Sequence, residues 1–400
     1  MPDMHFDAVV VGAGPAGSIA AKTLVENGVK TLVLEKRQEI GAPKRCAEAI
    51  NIRGLKRVGL TPDPRWAVQK INGAVLYAPG GKSLKFPLGE KAGYILERKV
   101  FEKYLASEAI NKGAKYMVKT CATGVIKEDG IIKGVSAEYM GESYHIFSRL
   151  VIAADGVDSM IAKSAGLKTQ NSLADYHSGF QYELAGLKID CCDNLHVFFG
   201  DDVAPKGYAW IFPKGGTVAN VGLGVLGKMS GQGKKAQYYL DRFIASRPGI
   251  FADASPIEIN CGGVPVGSSV ECLVSDGLMI VGDAGHQVNP VHGGGLSMGM
   301  YAGKMAGEIG ARALAEGVVS RERLSEYEKA WHDGDGAKAQ KLLKLRSFLE
   351  KLSAEDLDTL AGVVDGEEII KLTEGDYRFL IGRFIKNAPT ILPIARKFLN

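Results

Sequence analysis

The chain has 400 residues, of which 46% are apolar and 24% charged. That is the make-up of a globular protein too long for one hydrophobic core, and it excludes disordered and collagen-like architectures. A formal net charge of +4, with no lysine- or arginine-rich run interleaved with aromatics, gives no footprint for nucleic acid.

The amino terminus, "MPDMHFDAVVV", lacks the basic start and cleavage site of an export signal. No apolar run reaches the length of a membrane span. The six cysteines show no Cys-x-x-Cys spacing, and a reducing, cytoplasmic compartment is expected.

Residues 6–11, "FDAVVV", have the β-branched, apolar character of a buried parallel strand. "GAGPAGSIAAKTLVENG" then reads as turn and helix, and "KTLVLE" as a second strand. Gly12, Gly14 and Gly17 form a G-x-G-x-x-G pattern. Gly12 allows the tight turn, Gly14 lets a pyrophosphate approach, and Gly17 permits close helix packing. Glu35 closes the second strand, 18 residues after Gly17, where its carboxylate can accept hydrogen bonds from ribose hydroxyls. Strand, glycines, helix and acid together predict a bound dinucleotide.

Three further segments, 91–125, 148–167 and 275–310, belong by pattern to the same nucleotide unit. "RLVIAADGVDSMIAKSAGL" repeats the strand, turn and helix order. Between them, residues 170–265 alternate apolar and polar positions ("NLHVFFG", "YAWIFP", "TVANVGLGVL"), as in an antiparallel sheet with one solvated face. In "LMIVGDAGHQVNPVHGGGLSMGM", Asp283 ends a strand where the carboxyl edge of a doubly wound sheet binds ligands. Gly293, Gly294 and Gly295 let backbone approach a flat ring, and the helix from Leu296 aims its positive end at it. His286 and His292 lack metal-ligand spacing, so loop hydrogen bonding is expected and no metal is assigned. From about residue 320 the pattern is helical, with Leu342, Leu345, Leu349 and Leu352 on one stripe.

The predicted fold class is therefore α/β. A Rossmann-like nucleotide-binding domain (1–169 plus 266–320) carries an inserted antiparallel-sheet substrate domain (170–265), and a helical region (321–400) follows.

"VVVGAGPAGSIAA", "LERKVFEKYL", "VIAADGVDS" and "LMIVGDAGHQVNPVHGGGL" resemble the flavoprotein superfamily of para-hydroxybenzoate hydroxylase over nearly the first 310 residues. "EKRQEIGAPKRCAEAI" and "PKGYAWIFP" narrow the likeness to the archaeal geranylgeranyl reductases, also called digeranylgeranylglycerophospholipid reductases. The resemblance implies FAD held by Ala16, Glu35, Cys46, Ala47, Ala49, Arg98, Ala122, Asp283, Gly295 and Leu296. It also implies saturation of isoprenoid double bonds in membrane lipid precursors. In one respect the sequence departs from the family, whose loop commonly reads Arg-Cys-Gly-Glu-Gly. Here Ala47 and Ala49 replace the glycines, which predicts a loop seated differently beside the flavin.

The expected chemistry is hydride from N5 of reduced FAD to the more substituted alkene carbon, with a proton to its neighbour. Cys46 is the candidate for supplying that proton or placing a donor water. Tyr208, Trp210 and Phe212, at alternate positions of one strand, are the candidate substrate wall, and the faces of Tyr208 and Trp210 can stabilise developing positive charge.

Two other readings stay open: an FAD monooxygenase or halogenase, since "YAWIFP" partly matches the halogenase Trp-x-Trp-x-Ile-Pro signature, and an electron-transfer module serving a quinone. With no second G-x-G-x-x-G fold unit, the electron donor is expected to be ferredoxin or transiently bound NAD(P)H. The stretch 377–400 has five basic and no acidic residues, with Tyr377, Leu380, Ile381, Phe384 and Ile385 on one stripe. It is expected to bind an anionic membrane surface peripherally.

Overall fold

The computed structural model describes residues 3–231 and 233–376, so the basic stretch 377–400 lies outside the described residues. The chain begins with β1 (Met4–Val11), α1 (Pro15–Glu26) and β2 (Thr31–Leu34). A small meander follows: β3 (Ala49–Asn51), α2 (Ile52–Arg57) and β4 (Ala67–Ile71), then the hairpin β5 (Gly73–Tyr77) and β6 (Ser83–Pro87), then β7 (Gly93–Leu96). Next come α3 (Arg98–Asn111), β8 (Lys115–Met117), β9 (Thr120–Glu128), β10 (Ile131–Tyr139), β11 (Glu142–Ala153) and α4 (Met160–Ser164).

The central region holds β12 (Tyr176–Ala185), β13 (Asn194–Phe198), β14 (Tyr208–Gly215), β15 (Val218–Leu226), α5 (Ala236–Ala245), α6 (Pro248–Phe251) and β16 (Ser255–Pro265). After β17 (Val274–Ser275) and β18 (Leu278–Ile280), helices close the chain: α7 (Leu296–Glu316), α8 (Arg321–Trp331), α9 (Ala337–Glu350), α10 (Ala354–Ala361) and α11 (Gly366–Thr373).

One sheet is ordered β17-β18-β11-β1-β2-β8, with β10 and β9 added beside β11. Its core strands are parallel and finish together, because Val11 is the register partner of both Leu34 and Ala153, and Ala153 of Ile280. Ligands bind at such a carboxyl edge. Helix α7 crosses α1 at very short range. A Cβ on Gly303 would lie 2.2 Å from the Ala16 carbonyl oxygen, and one on Gly307 2.7 Å from the Thr23 side chain, so glycine is what lets the two helices touch.

The second sheet is ordered β16-β12-β15-β14-β13-β5-β6. It differs from the sequence expectation in two ways. Its edge hairpin β5–β6 comes from residues 73–87, well ahead of the alternating region, and β5 joins β13 in parallel, so the sheet is not purely antiparallel. Nor is its second face solvated throughout: Ile257, Ile259 and Cys261 of β16 are exposed, but over β14 and β15 the face is covered. Alternate residues Ala209, Ile211, Ala219, Val221, Leu223 and Val225 pack outward under α5 with Leu240 and Phe243. The intervening positions look into a cavity between the two sheets. A three-stranded sheet, β3-β7-β4, forms one side of it. The predicted leucine stripe lies on α9 and just beyond, where Leu342, Leu345 and Leu352 are buried with Phe348 and the partly buried Leu349 packs on them. Among the described residues no helix is long and apolar enough to cross a membrane.

Candidate active site

The shared carboxyl edge brings the sequence-predicted nucleotide residues together. Gly12 has φ +106°, and a Cβ there would lie 2.3 Å from the Ala154 carbonyl oxygen; one on Gly17 would lie 2.0 Å from the Gly12 carbonyl oxygen. Both are turn and packing glycines. Gly14 is different: a Cβ on it would meet nothing within 4 Å, and as the N-cap of α1 it has no capping side chain. The first N–H groups of α1 therefore face open space with Pro15 behind them, a preformed anion site. Glu35 braces this turn by accepting from the backbone N–H of Ala13 at 3.0 Å and of Arg37 at 2.9 Å, and it lines the cavity. Ala16 packs between the turn after β18 and α7, since a Cβ on Gly282 would lie 3.1 Å and one on Gly299 3.6 Å from its methyl group.

From this edge a cavity of about 1990 Å³ runs beneath the second sheet. Ala122 of β9 lines it, as do Asp283, Gly295 and Leu296 at the start of α7. Gly295 is an uncapped N-cap, and a Cβ on it would lie 3.1 Å from the Asp283 carboxylate. Burial pushes the Asp283 carboxyl above the ordinary carboxylate range, while the charge of Arg98 acts the other way. Asp155, after β11, keeps one buried carboxylate oxygen without a hydrogen-bond partner among the described residues. Two uncapped helix starts, a bare Gly14 and an orphaned carboxylate oxygen, strung along one elongated cavity, fit a dinucleotide such as FAD with its phosphates over α1 and its ring system towards α7.

The loop 44–49 forms the opposite wall. Neither Ala47 nor Ala49 takes a left-handed conformation; that falls on Glu48 between them, at φ +73°. Glu48 is fully buried. Its carboxylate accepts from the backbone N–H of Arg98 at 2.7 Å, Lys44 Nζ at 3.1 Å, Lys214 Nζ at 2.8 Å and Asn220 Nδ2 at 2.7 Å. Its own N–H donates to Cys46 Sγ at 3.2 Å. Lys44 also pairs with Glu183, and Lys214 reaches Glu183 at 3.0 Å and Glu97 at 2.8 Å. Burial disfavours the charged Lys214, but Glu48, Glu97 and Glu183 outweigh it and hold the ammonium protonated. Arg98 bonds Glu102 at 2.6 Å and lies within hydrogen-bonding reach of Cys46.

Apart from Arg98 and Cys46, none of this buried cluster was singled out from the sequence. Lys214 was within reach of the argument, because it continues the 208, 210, 212 alternation onto the cavity face. Lys44 and Glu48 carry no such signal.

Tyr208, Trp210 and Phe212 line the cavity as one wall, with ring centroids 5.8 and 6.2 Å apart. Their polar tips are tied back. The Tyr208 hydroxyl donates to the His292 carbonyl at 2.6 Å, and Trp210 Nε1 donates to Gln181 Oε1 at 2.9 Å. Gln181 in turn donates to the Cys46 carbonyl at 3.1 Å. Burial pushes the Tyr208 phenol well above its ordinary value. A Cβ on Gly222 would lie 2.6 Å from the Trp210 ring, so that glycine lets the indole lie across β15.

The ring nitrogens of His286 lie 3.2 Å from the carbonyls of Ser268 and Thr169, and His292 Nδ1 accepts from the Gly294 N–H at 3.1 Å, the loop bonding expected of both. The glycine spacing of the first turn recurs at Gly222, Gly224 and Gly227, but there it runs along a strand and makes no strand-to-helix turn.

Comparison with known proteins agrees with this geometry. A family model for an FAD binding domain matches residues 5–185, and one for a geranylgeranyl reductase catalytic domain matches 175–264. The chain is 43% identical to digeranylgeranylglycerophospholipid reductase 1 of Methanothermobacter thermautotrophicus, over 97% of each chain. Among solved structures it resembles a geranylgeranyl bacteriochlorophyll reductase-like protein of Thermoplasma acidophilum, with a TM-score of 0.89 and 32% identity, covering 96% of this chain and 100% of that one. A flavin-dependent brominase shares the fold at a TM-score of 0.75 and 19% identity, covering 93% of this chain and 94% of that one.

Proposed function

Because the chain belongs to the digeranylgeranylglycerophospholipid reductase family, we propose that it is an FAD-dependent reductase saturating the C=C bonds of geranylgeranyl chains in archaeal membrane lipid precursors. The observation that carries this reading is the course of the cavity. It starts at the nucleotide edge, passes the aromatic wall of β14, and reaches an apolar bay lined by Leu76, Leu84 and Phe86 of the edge hairpin, while Leu342, Leu345 and Phe348 of α9 add apolar lining to the same cavity. Seven strands at about 4.8 Å spacing give roughly 29 Å of roof across the sheet, room for a long chain laid athwart the strands.

Bound along the nucleotide edge, FAD supplies the hydride. The protein supplies the rest. The N-terminus of α1 at Gly14 takes the pyrophosphate, Glu35 takes the adenosine ribose, and Asp283, Gly295 and Leu296 border the ring. Tyr208 and Trp210, with hydroxyl and N–H engaged elsewhere, turn only their π faces to the alkene, where they stabilise developing positive charge and exclude water. Cys46, which accepts one N–H from Glu48, hands over the proton or places a donor water. Arg98 holds the loop against α3.

Electrons come from ferredoxin or transiently bound NAD(P)H in this reading, and the lipid is collected at an anionic membrane surface through residues 377–400. The working division remains a nucleotide unit (1–169 plus 266–320), a substrate unit built on 170–265 and a helical region from 321.

The test is anaerobic reduction of the purified yellow protein followed by mass analysis of a geranylgeranyl glycerolipid. A gain of two hydrogens per double bond is expected. Substrate-coupled oxygen uptake with a hydroxylated or halogenated product, or quinone turnover without saturation, overturns the reading.

A further inference from the structure

The cavity face of the second sheet carries a bare strip. Gly224, Gly179 and Gly262 are register partners on the adjacent strands β15, β12 and β16, and all three line the cavity. Glycine inside a strand costs stability and is kept where a bulge, a turn or a close approach requires it. At two of these positions the protein itself requires nothing of the kind. None of the three has a left-handed φ. A Cβ on Gly179 would meet nothing nearer than the Gly262 carbonyl oxygen at 3.4 Å, and one on Gly224 nothing nearer than His177 Nδ1 at 3.7 Å, both ordinary contacts. The room above them is left for something other than protein.

His177 is the second observation. It stands beside Gly224, lines the same cavity and is only 9% exposed, yet its Nε2 has no hydrogen-bond partner among the described residues. A buried polar atom without a partner is costly, and such an atom in a binding cavity marks a place where a ligand completes the bond. Burial, reinforced by the charge of Arg346, lowers the imidazole to about 4, so it is a neutral partner that can donate through one nitrogen and accept through the other. Arg346 itself is engaged, donating to Val266 O at 2.6 Å and to Glu350 at 2.7 Å, so it offers His177 no free cation, while the side chain of Arg45 lies against Gly262 at the β16 end of the strip. A prenyl chain offers no oxygen. The glycerol segment that joins the chains does.

We propose that the Gly224–Gly179–Gly262 strip and His177 form the subsite for the oxygen-bearing glycerol segment of the lipid, on the far side of the aromatic wall from the apolar bay. This rests on the prenyl-lipid reading above and adds where the molecule's polar end lies and what recognises it. His177 is a specificity determinant here, and the strip is a steric sieve that admits the glycerol segment only while it carries no side chains.

The experiment uses the FAD-loaded full chain and two ligands, digeranylgeranylglyceryl phosphate and geranylgeranyl diphosphate, which lacks glycerol. Kd is read from the change in oxidised-flavin absorbance, beside flavin content and Tm. Gly179→Ala is expected to keep full flavin and to hold or raise Tm, because alanine is the better strand residue. It should weaken the glycerolipid by about tenfold or more and leave the diphosphate within about twofold. His177→Phe should show the same selectivity. Loss of both affinities together, loss of neither, or loss of flavin from Gly179→Ala overturns the proposal, the last by assigning the strip to the cofactor. Should His177→Phe fail to fold, Gly179→Ala decides alone, since its methyl group has room. A wild-type protein that reduces neither prenyl lipid overturns the parent reading; one that reduces them while the variants stay unselective overturns this subsite only.

Discussion

Glu48 holds a left-handed backbone, which costs a non-glycine residue about 1–2 kcal/mol, and does so with no solvent contact. Four donors, from the loop itself, α3, β14 and β15, fix its carboxylate. Removing one partner of such a cluster strands the others, so Glu48→Ala should destabilise by about 3–5 kcal/mol, read as a lower urea midpoint together with loss of bound flavin. An unchanged midpoint would show that the cluster is not holding the loop. Cys46→Ala leaves these contacts in place. It should keep the yellow colour and slow saturation roughly 10²-fold if the thiol handles the proton; equal turnover removes Cys46 from the chemistry.

His177 gives a pH signature. Its folded value near 4 lies below the ordinary 6.5, so the unfolded chain binds the extra proton in between. Stability is then fully present above about pH 6.5 and is lost as pH falls towards 4, by about 3 kcal/mol in all. His177→Phe should flatten that slope in urea midpoints measured at pH 7 and pH 4.5. At this scale the sequence disclosed residues that belong to a local pattern, such as Gly12, Glu35 and Tyr208. It hid Lys44, Glu48 and His177, whose roles depend on partners brought from far along the chain.

Among the elements, β1, α1 and β2 could be read directly, since each of their signals is local: an apolar run, three spaced glycines and an acid. The alternation of β14 and β15 was equally plain, but which face met solvent was not, because the chain segments that cover it lie far away in sequence. The edge hairpin β5–β6 was not legible at all. Its partner is β13, and Gly73 pairs with Asn194 across more than a hundred residues. The contact of α1 with α7 offers a test at this scale. Gly303→Ala would place a methyl group 2.2 Å from the Ala16 carbonyl oxygen, a backbone atom that cannot turn aside. The expected cost is about 1–3 kcal/mol, with weakened FAD retention because the N-terminus of α1 at Gly14 moves with the helix. Full flavin content at wild-type Tm would show that the crossing tolerates a wider spacing.

For the molecule as a whole, the supply of an almost insoluble substrate is the remaining physical problem. Five basic residues in 377–400, each worth about 1 kcal/mol near an anionic leaflet, predict salt-sensitive cosedimentation with anionic vesicles that drops when 377–400 is removed. Equal sedimentation of the two forms, or none at low salt, rejects this. The seven-stranded sheet carries a different consequence, for anyone building chimeras between members of the family. Exchanging residues 170–265 would transplant the aromatic wall, the bare glycine strip and His177 from the donor. The hairpin β5–β6, encoded a hundred residues upstream, and the leucines of α9 would remain the recipient's. Such a hybrid would recognise the head of its substrate as one parent does and the tail as the other does, and a full change of preference needs a graft of at least three separate pieces of the gene.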